Sequence, residues 1–408
     1  MRRLAPSDHV IVVGAGLAGW RVVESLRREG FTGALTLIGD EPHAPYDRPP
    51  LSKQVLSGKW DVEKTTLASS AQLAESAATL RLGLRATRLD VEGTTVELAD
   101  GSLVTGTHVV LATGSRARAF HVDSVGELAS LRTRDDVVRF GGVLDGLIPG
   151  SVVAVIGGGF VGAEAATSLH TRGLRPIVLE AAARPLLGVV GGEVATWLER
   201  LPAIAGVELR TNQRLLDVVR DDVGYELLFN DGTQLRASAV LAAVGSALDT
   251  SWLEGTGLVI DDGVVVDENL QAAANVAAIG DVARFLWRSS LGEESVRIEH
   301  WQVAIDHAAH VAKYWVSGEG RAEIMVPYFW SDQYGKKIQM LGHPHPSDEV
   351  ALVSGTPEEG KWLALFCRDG VVTGIIALSH PRALMLSKEL LTTRTTLDDA
   401  LGLEPWIA

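Results

Sequence analysis

The sequence contains almost no cysteine: Cys367 is the only one among 408 residues. A lone thiol excludes an internal disulfide and a redox dithiol, and it leaves no cysteine set for an iron–sulfur cluster. It also favours a reducing compartment, so we expect a cytoplasmic protein. We expect Cys367 to be a buried strand residue rather than a nucleophile, because an unactivated thiol behaves as a small apolar side chain.

The sequence also lacks a basic excess and a long apolar run. Lys and Arg total 37 and Asp and Glu total 51, so the net charge is 37 − 51 = −14. This balance disfavours non-specific binding to nucleic acid or to an anionic membrane. The apolar stretch at 237–247 is too short to cross a bilayer, and the run at 10–13 is too short for a signal peptide. We therefore expect no nucleic-acid partner and no membrane partner.

The sequence also lacks a spacing of ligands that is typical of a metal site. His307 and His310 lie three residues apart on a predicted helix, but no third ligand follows at a suitable spacing, so we predict no metal site. The composition, 46% hydrophobic and 22% charged, is typical of a folded protein rather than a disordered one. The length predicts two or three domains.

The sequence does contain a glycine motif, in two copies. An apolar strand at 10–13 runs into GAGLAG at 14–19, and another at 152–156 runs into GGGFVG at 157–162. The copies begin 157 − 14 = 143 residues apart, which is far too long for a solenoid repeat. The motifs therefore indicate two separate structural units.

Each motif stands in the same predicted context. Helices are expected at 17–28 and 162–171, and a second apolar strand follows at 35–38 and 176–179. The order strand, glycine turn, helix, strand is that of a dinucleotide-binding βαβ unit. The sequence therefore predicts an α/β fold with two Rossmann-like units.

The glycines have distinct roles in such a turn. The first makes the turn, the second lets the backbone approach a pyrophosphate, and the third lets the helix pack on the strand. The helix N-terminus adds N–H groups and the positive end of a dipole. The predicted ligands are Gly14, Gly16, Leu17, Ala18 and Gly19 in the first copy, and Gly157, Gly159, Phe160, Val161 and Gly162 in the second.

An acidic residue ends the second strand of each unit. Asp40 lies 40 − 19 = 21 residues after the last glycine of the first motif, and Glu180 lies 180 − 162 = 18 after that of the second. A carboxylate there accepts hydrogen bonds from ribose hydroxyls and repels a 2′-phosphate. Glu180 is followed by three alanines, which favours NADH over NADPH, although Arg184 could turn toward a phosphate. The alternative is that both acids are ordinary exposed residues.

The duplication extends beyond the glycine motifs. Asp100-Gly101 and Asp231-Gly232 each lie in a predicted hairpin, and apolar strands near 109–111 and 240–243 each run into a small-residue turn. The turn residues are Ala112, Thr113 and Gly114 in the first half and Val244 and Gly245 in the second. From about Tyr328, short strands and a helical tail predict a smaller C-terminal α+β domain.

Longer motifs connect these features to a known family. They are PYDRPPLSK at 45–53, LATG at 111–114, LRT at 131–133, AIGD at 278–281, RIEHW at 297–301 and PYFWSDQY at 327–334. With the glycine motifs they span nearly the whole chain. The sequence resembles the FAD-dependent, NADH-using ferredoxin reductases of bacterial oxygenase systems, a branch of the pyridine nucleotide-disulfide oxidoreductase superfamily. The motifs around 48–53 and 329–333 are specific to this group.

The resemblance implies a glutathione reductase-type architecture. It places an FAD-binding domain at 1–116 and 246–326, an NADH-binding domain at 117–245 and the C-terminal α+β domain at 327–408. It also implies tightly bound FAD as cofactor and NADH as substrate. No side-chain nucleophile is then required, because the cofactor carries the redox chemistry.

The resemblance assigns two candidate catalytic residues. Lys53 would lie in a loop beside the flavin ring, where its charge stabilises the reduced flavin, and Glu164 would approach the nicotinamide amide. The alternatives are a solvated loop lysine and an exposed helix residue. Other implied flavin contacts are Asp40, Arg48, Pro49, Ala86, Ala112, Thr113, Gly114, Arg132, Asp281, Glu299, His300 and Trp301. Other implied NADH contacts are Glu180, Arg184, Val244 and Gly245.

The sequence departs from the family pattern at two places. The stretch 115–130 lacks the prolines usual after the LATG turn, and Gly188 stands near the position of a second arginine, which leaves Arg184 alone to reach the NADH phosphates.

The resemblance implies that electrons pass from NADH through FAD to the [2Fe–2S] ferredoxin of an oxygenase, in a monomer or homodimer. The chain has no cysteine set for its own cluster, so the acceptor would be a separate protein. An enzyme of the same fold that reduces rubredoxin, dioxygen or a small quinone is the alternative. A redox-sensing or scaffold flavoprotein is a hypothesis of another class.

Overall fold

The computed structural model describes residues 3–289, 291–320 and 326–407. The chain forms two compact units. The first comprises Met1–Asp47, Thr66–Arg116 and Leu248–Phe329, and the second comprises Arg48–Thr65, Ala117–Ala247 and Trp330–Ala408. Residues 1–2, 290, 321–325 and 408, which fall within the predicted domain ranges, lie outside the described residues. The three domain ranges themselves remain a prediction.

The first unit is built on a six-stranded sheet. Neighbouring strands are parallel, except that Gln271–Ala273 and Val276–Ala278 at one edge are antiparallel. Val10, Ile11 and Val12 in the middle of the sheet are 0% exposed, as expected for parallel strands covered on both faces. In spatial order the strands are Gln271–Ala273, Val276–Ala278, His108–Leu111, His9–Val13, Ala34–Gly39 and Ala78–Leu82.

Smaller elements complete the first unit. Its helices are Leu17–Arg28, Ser70–Ser76 and Trp301–Ser317, with short turns of helix at Ser251–Leu253 and Gly280–Val282. One three-stranded sheet contains Ala86–Asp90, Thr95–Leu98 and Leu103–Thr105. Another contains Val264–Val265, Ala283–Ser289 and Gly292–Val296. The helix Leu17–Arg28 has the predicted bounds and buries Ala18, Val22 and Leu26.

The second unit repeats this plan. Its parallel sheet has, in spatial order, the strands Ala129–Ser130, Ala239–Ala242, Val152–Ile156, Arg175–Leu179 and Glu208–Arg210. The strand before each glycine turn pairs on one side with the strand that ends in the small-residue turn, and on the other with the strand that ends before the acid. The predicted duplication into two Rossmann-like units is therefore confirmed.

Further elements of the second unit surround this sheet. The helices are Arg134–Asp145, Phe160–Thr171, Leu187–Leu198 and Leu201–Ile204, with a short helical turn at Val62–Thr65. A hairpin joins His121–Val122 to Gly126–Glu127, and an antiparallel sheet contains Leu215–Asp221, Gly224–Phe229 and Gln234–Ala237. Short strands at Arg116–Ala117 and Ser246–Ala247 lie where the chain passes from one unit to the other.

The C-terminal region forms a five-stranded sheet with short helices. In spatial order its strands are Tyr328–Gln333, Lys336–Gly342, Val371–Leu378, Lys361–Arg368 and Glu349–Thr356. Helical segments follow at Pro381–Leu386, Lys388–Leu391, Leu397–Leu403 and Pro405–Ile407. The predicted α+β character is confirmed.

Two features differ from expectation. The Lys53 segment, expected to be a loop, is a π-helical segment at Leu51–Val55. The strand Val371–Leu378 was not predicted, although it lies between two strands and is buried along its whole length. Among the described residues, no helix combines the length and apolar character needed to cross a membrane.

Candidate functional site

The first glycine turn exposes bare backbone at a helix N-terminus. Gly14 has a φ of +114°, and a Cβ there would lie 2.1 Å from the carbonyl oxygen of Ala112. A Cβ at Gly19 would lie 1.8 Å from the carbonyl oxygen of Gly14, so neither position admits a side chain. A Cβ at Gly16, in contrast, would meet nothing within 4 Å. The open space beside Gly16 is where a phosphate group can approach the backbone.

The second glycine turn has the same geometry. Gly157 has a φ of +104°, and a Cβ there would lie 2.4 Å from the carbonyl oxygen of Ala243. A Cβ at Gly162 would lie 2.0 Å from the carbonyl oxygen of Gly157, while one at Gly159 would meet nothing within 4 Å. In both turns the first and third glycines exclude a side chain and the second lies in open space, as expected, and the phosphate contact itself remains a prediction. Leu17 and Ala18 occupy the first turn of one helix, and Phe160 and Val161 that of the other.

The two strand-end acids differ in their surroundings. Asp40 follows the strand Ala34–Gly39 and is exposed, with no hydrogen bond or ion pair to any described residue. Glu180 follows the strand Arg175–Leu179, where its carboxylate accepts hydrogen bonds from the N–H of Gly158 at 2.8 Å and of Ala182 at 2.7 Å. The Glu180 carboxylate is therefore held beside the second glycine turn.

Arg184, the residue expected to reach the NADH phosphates, forms an ion pair within the second unit. Its guanidinium lies 3.1 Å from the Glu199 carboxylate, and 40% of its side chain is exposed. Gly188 lies in the first turn of the helix Leu187–Leu198. A contact between Arg184 and NADH phosphates remains a prediction.

In the first unit, a serine links two of the predicted flavin contacts. The Ser115 hydroxyl donates a hydrogen bond to the Asp281 carboxylate at 2.9 Å and lies 3.2 Å from the Glu299 carboxylate. Arg297 forms an ion pair with Glu299 and donates to the Asp281 carbonyl oxygen at 3.4 Å. Two carboxylates thus meet at one serine that is 166 and 184 positions from them in the sequence. Ser115 was not predicted as a site residue, because it stands in the stretch where the sequence departs from the family.

The helix Trp301–Ser317 brings two further predicted residues into the first unit. His300 is its N-cap, and its ring centroid lies 5.2 Å from that of Phe329. The Trp301 indole N–H donates to the Asp47 carboxylate at 2.8 Å, which fixes the ring. The other predicted flavin contacts here are Ala86, buried at the start of Ala86–Asp90, and Ala112, Thr113 and Gly114, which follow His108–Leu111.

In the second unit, the two candidate catalytic residues form an ion pair. The Lys53 ammonium lies 2.7 Å from Glu164 Oε2, and the side chains are only 13% and 7% exposed. The Lys53 ammonium also donates to the Pro49 carbonyl oxygen at 3.0 Å. Lys53 is therefore not a solvated loop lysine, and Glu164 is not an exposed helix residue. Their pairing was not predicted.

Two serines add to this pair. The Ser52 hydroxyl donates to Glu164 Oε2 at 2.6 Å, and the Ser331 hydroxyl donates to Glu164 Oε1 at 2.6 Å. Both oxygens of the buried carboxylate are thereby satisfied, as a buried charge requires. Ser331 lies in the family-specific motif at 329–333, but the motif alone indicates no role for it.

The remaining predicted residues of the second unit lie at its turns. The Arg48 guanidinium donates to the Arg132 carbonyl oxygen at 2.7 Å. Val244 and Gly245 follow the strand Ala239–Ala242. Arg48, Pro49, Lys53 and Arg132 belong to the second unit, whereas the other predicted flavin contacts belong to the first.

In the part of the chain that the structure describes, neither the single cysteine nor any group of metal-ligating side chains adds to these sites. Cys367 is 2% exposed in the strand Lys361–Arg368, and burial raises the pKa of its thiol to about 11, assisted by Glu349 and Asp348. The prediction of a buried strand residue is confirmed. Within the described ranges, no three His, Cys, Asp or Glu side chains are grouped so as to hold a metal ion.

Two backbone turns at helix N-termini, each with a carboxylate at the neighbouring strand end, define a protein of the two-dinucleotide Rossmann class. Residues 8–308 match the family model for pyridine nucleotide-disulphide oxidoreductases, and residues 328–405 match the model for a reductase C-terminal domain. The chain therefore belongs to the pyridine nucleotide-disulphide oxidoreductase family. Membership implies the use of a flavin and of a pyridine nucleotide.

Individual relatives match along almost their whole length. The ferredoxin reductase component of chlorobenzene dioxygenase from Cupriavidus sp. (strain PS12) is 33% identical over 97% of this chain and 95% of that protein. Rhodocoxin reductase from Rhodococcus erythropolis is 32% identical over 95% and 90%. The crystal structure of the covalent putidaredoxin reductase–putidaredoxin complex matches with a TM-score of 0.89 at 30% identity, over 96% of this chain and 94% of that one. The resemblance predicted from the motifs is confirmed.

Proposed function

We propose that the protein is an FAD-dependent reductase that passes electrons from NADH to a [2Fe–2S] ferredoxin of an oxygenase system, either a Rieske dioxygenase or a cytochrome P450. The observation that carries the proposal is the buried Lys53–Glu164 pair in a chain with two dinucleotide turns. The relatives support it: one is the ferredoxin reductase component of a dioxygenase, and another, putidaredoxin reductase, is known in a covalent complex with putidaredoxin.

The residues of the first unit fit FAD. The open space at Gly16 accommodates a pyrophosphate, and the exposed Asp40 carboxylate is available to a ribose. Asp281, oriented by Ser115, would accept a hydrogen bond from a ribityl hydroxyl. We accordingly propose that 1–116 and 246–326 form the FAD-binding domain. The other predicted flavin contacts remain part of the proposal, including Arg132, which lies outside these two ranges.

The second turn fits NADH. Gly159 offers the same open backbone, and Glu180 presents a fixed carboxylate to the adenosine ribose. A carboxylate at that place repels the 2′-phosphate of NADPH. We assign 117–245 to NADH binding and 327–408 to the C-terminal domain.

Bound FAD would supply the redox chemistry, because a flavin accepts a hydride and releases electrons one at a time. The chain supplies a fixed positive charge at Lys53, held by Glu164 and by the Pro49 carbonyl oxygen. Such a preorganised charge stabilises negative charge that develops nearby and costs no reorganisation during reaction. Glu164 keeps the ammonium paired and offers a carboxylate to an amide donor. We also propose a cytoplasmic location, where NADH is supplied.

The test is steady-state NADH oxidation by the purified holoenzyme with a panel of carriers. FAD should be the flavin released on denaturation, and a [2Fe–2S] ferredoxin should stimulate NADH-dependent reduction of cytochrome c. Rubredoxin, dioxygen and a quinone serve as the comparison acceptors. Rapid turnover with one of these, and no stimulation by any [2Fe–2S] ferredoxin, would contradict the proposed acceptor.

A further inference from the structure

The Glu164 carboxylate is the meeting point of three donors from two distant segments. Lys53 and Ser52 both contact Oε2, and Ser331 is the one donor to Oε1 among the residues that the structure describes. Glu164 is 6% exposed and Ser331 is 0% exposed. A buried carboxylate with both oxygens engaged has one favoured position, because any rotation breaks at least one charge-assisted hydrogen bond.

Ser331, the donor to Oε1, itself accepts a hydrogen bond, so that the two bonds run in the same direction from Gln333 to Glu164. The Gln333 side-chain N–H donates to the Ser331 hydroxyl oxygen at 3.2 Å. Because that oxygen accepts from Gln333, its own proton is directed to Glu164. Ser331 and Gln333 are two positions apart on the strand Tyr328–Gln333, so their side chains point to the same face of the sheet. The C-terminal domain thereby sets the orientation of a carboxylate on the helix Phe160–Thr171.

The same helix also anchors the segment that carries Lys53. The Ser168 hydroxyl lies 2.7 Å from the Ser52 carbonyl oxygen and 3.1 Å from that of Lys53. Arg172, the residue after the helix, donates to the Leu56 carbonyl oxygen at 3.0 Å. Glu164, Ser168 and Arg172 are spaced four residues apart and lie on one face. Lys53 is therefore fixed to this helix both through its backbone and through Glu164.

We propose that Ser331, directed by Gln333, is a positioning residue for flavin reduction: it fixes Glu164, and through Glu164 it aims the Lys53 ammonium. The proposal rests on the proposed function, because it takes Lys53 to lie beside the flavin. Loss of the Ser331 hydroxyl frees Oε1 and loosens the pair. The Lys53 charge then stabilises the reduced flavin less well.

The experiment compares four holoenzyme variants with the wild type. Ser331→Ala removes the donor, Gln333→Met removes only its support, and Ser331→Thr restores a hydroxyl. The matched control is Ser387→Ala. This serine of the same unit is 0% exposed, and within the described part of the chain its hydroxyl donates only to the Ala383 carbonyl oxygen. The measurements are the flavin midpoint potential in a dye-coupled titration without NADH, the limiting rate of flavin reduction by NADH, and the rate at which photoreduced enzyme reduces ferredoxin.

Ser331→Ala should make the midpoint potential more negative and slow the reduction of the flavin by NADH about 10- to 100-fold, the usual effect of one lost hydrogen bond to a charged group. Gln333→Met should move both in the same direction by less, and Ser331→Thr and Ser387→Ala should resemble the wild type. Electron delivery from photoreduced enzyme should change little, whereas a general loss of structure would slow both half-reactions.

A potential and a reduction rate that stay at wild-type values in Ser331→Ala would overturn the proposal. So would equal losses in Ser331→Ala and Ser387→Ala. Failure of the proposed function has a different signature: the wild type itself would not be reduced by NADH or would not reduce ferredoxin. The NADH-free midpoint potentials decide the role of Ser331 in that case too.

Discussion

Replacement of His307 by glutamine should make the protein more tolerant of acid. His307 lies on the helix Trp301–Ser317 and is 3% exposed. Its Nδ1 accepts a hydrogen bond from the N–H of Gly280 at 3.3 Å, its Nε2 has no partner among the described residues, and its ring meets that of Phe285 edge-on at 4.5 Å. A protonated ring would lose its acceptor toward Gly280. A glutamine can keep an acceptor there without titrating.

The size of the effect follows from two pKa values. Burial, and to a lesser extent the charge of His310, lowers the pKa of His307 from 6.5 to about 3. The stability that the neutral ring contributes is complete above pH 6.5. It is lost as the pH falls from 6.5 toward 3, because the unfolded chain then binds a proton that the folded protein does not. At pH 5 the free energy of unfolding is lower by about 2 kcal/mol, because this pH is about 1.5 units below the pKa of the histidine in the unfolded chain.

Urea unfolding of the holoenzyme, followed by tryptophan fluorescence at pH 8 and pH 5 in the same excess of FAD, measures this loss. The wild type should lose about 2 kcal/mol more than His307→Gln between the two pH values. Burial also lowers the pKa of His310, but His310 is present in both proteins and its contribution largely cancels. His121→Gln, at an exposed position, is the control and should keep the wild-type loss. Equal losses in wild type and His307→Gln would refute the reasoning.

Three further outcomes are expected. Glu180→Arg should raise the ratio of kcat/KM for NADPH to that for NADH about tenfold or more, while Glu193→Arg, at an exposed position of the helix Leu187–Leu198, should not; an unchanged ratio in both would reject the ribose assignment. Asp281→Ala should lose FAD and yellow colour on purification, whereas Asp261→Ala should keep both; full retention by the former counts against the ribityl contact. Asp348→Asn should lower the free energy of unfolding by about 2–3 kcal/mol in urea titrations, because the 0% exposed Asp348 carboxylate accepts hydrogen bonds from three groups; an unchanged midpoint would contradict this.

The parts of the fold with local signals could be predicted from the sequence. The helix Leu17–Arg28 has its expected bounds, because a glycine motif precedes it, its apolar residues recur at i,i+4, and Gly30 follows it. The second turn repeats those signals around Gly157. Such features depend on neighbours in the chain, which the sequence displays directly.

Other parts depend on packing that no local pattern reports. Lys53 and Glu164 are 164 − 53 = 111 positions apart, and only the folded chain brings them to 2.7 Å. The helical turn at Leu51–Val55 is too short for a periodic signal and follows two prolines, so a loop was expected. The strand Val371–Leu378 is apolar without alternation because it is buried on both faces, and that pattern does not distinguish a strand from a buried helix segment.

The isolation of Cys367 has a practical consequence. Its thiol is 2% exposed and its pKa is raised to about 11 by burial, so at neutral pH it is both shielded and protonated. A cysteine introduced at any chosen surface position would therefore be the dominant reactive thiol without removal of the native one. Spin labels, fluorophores or cross-linkers attached there would report from a single known point, and an electron-acceptor protein could be located on the surface by scanning that point across it.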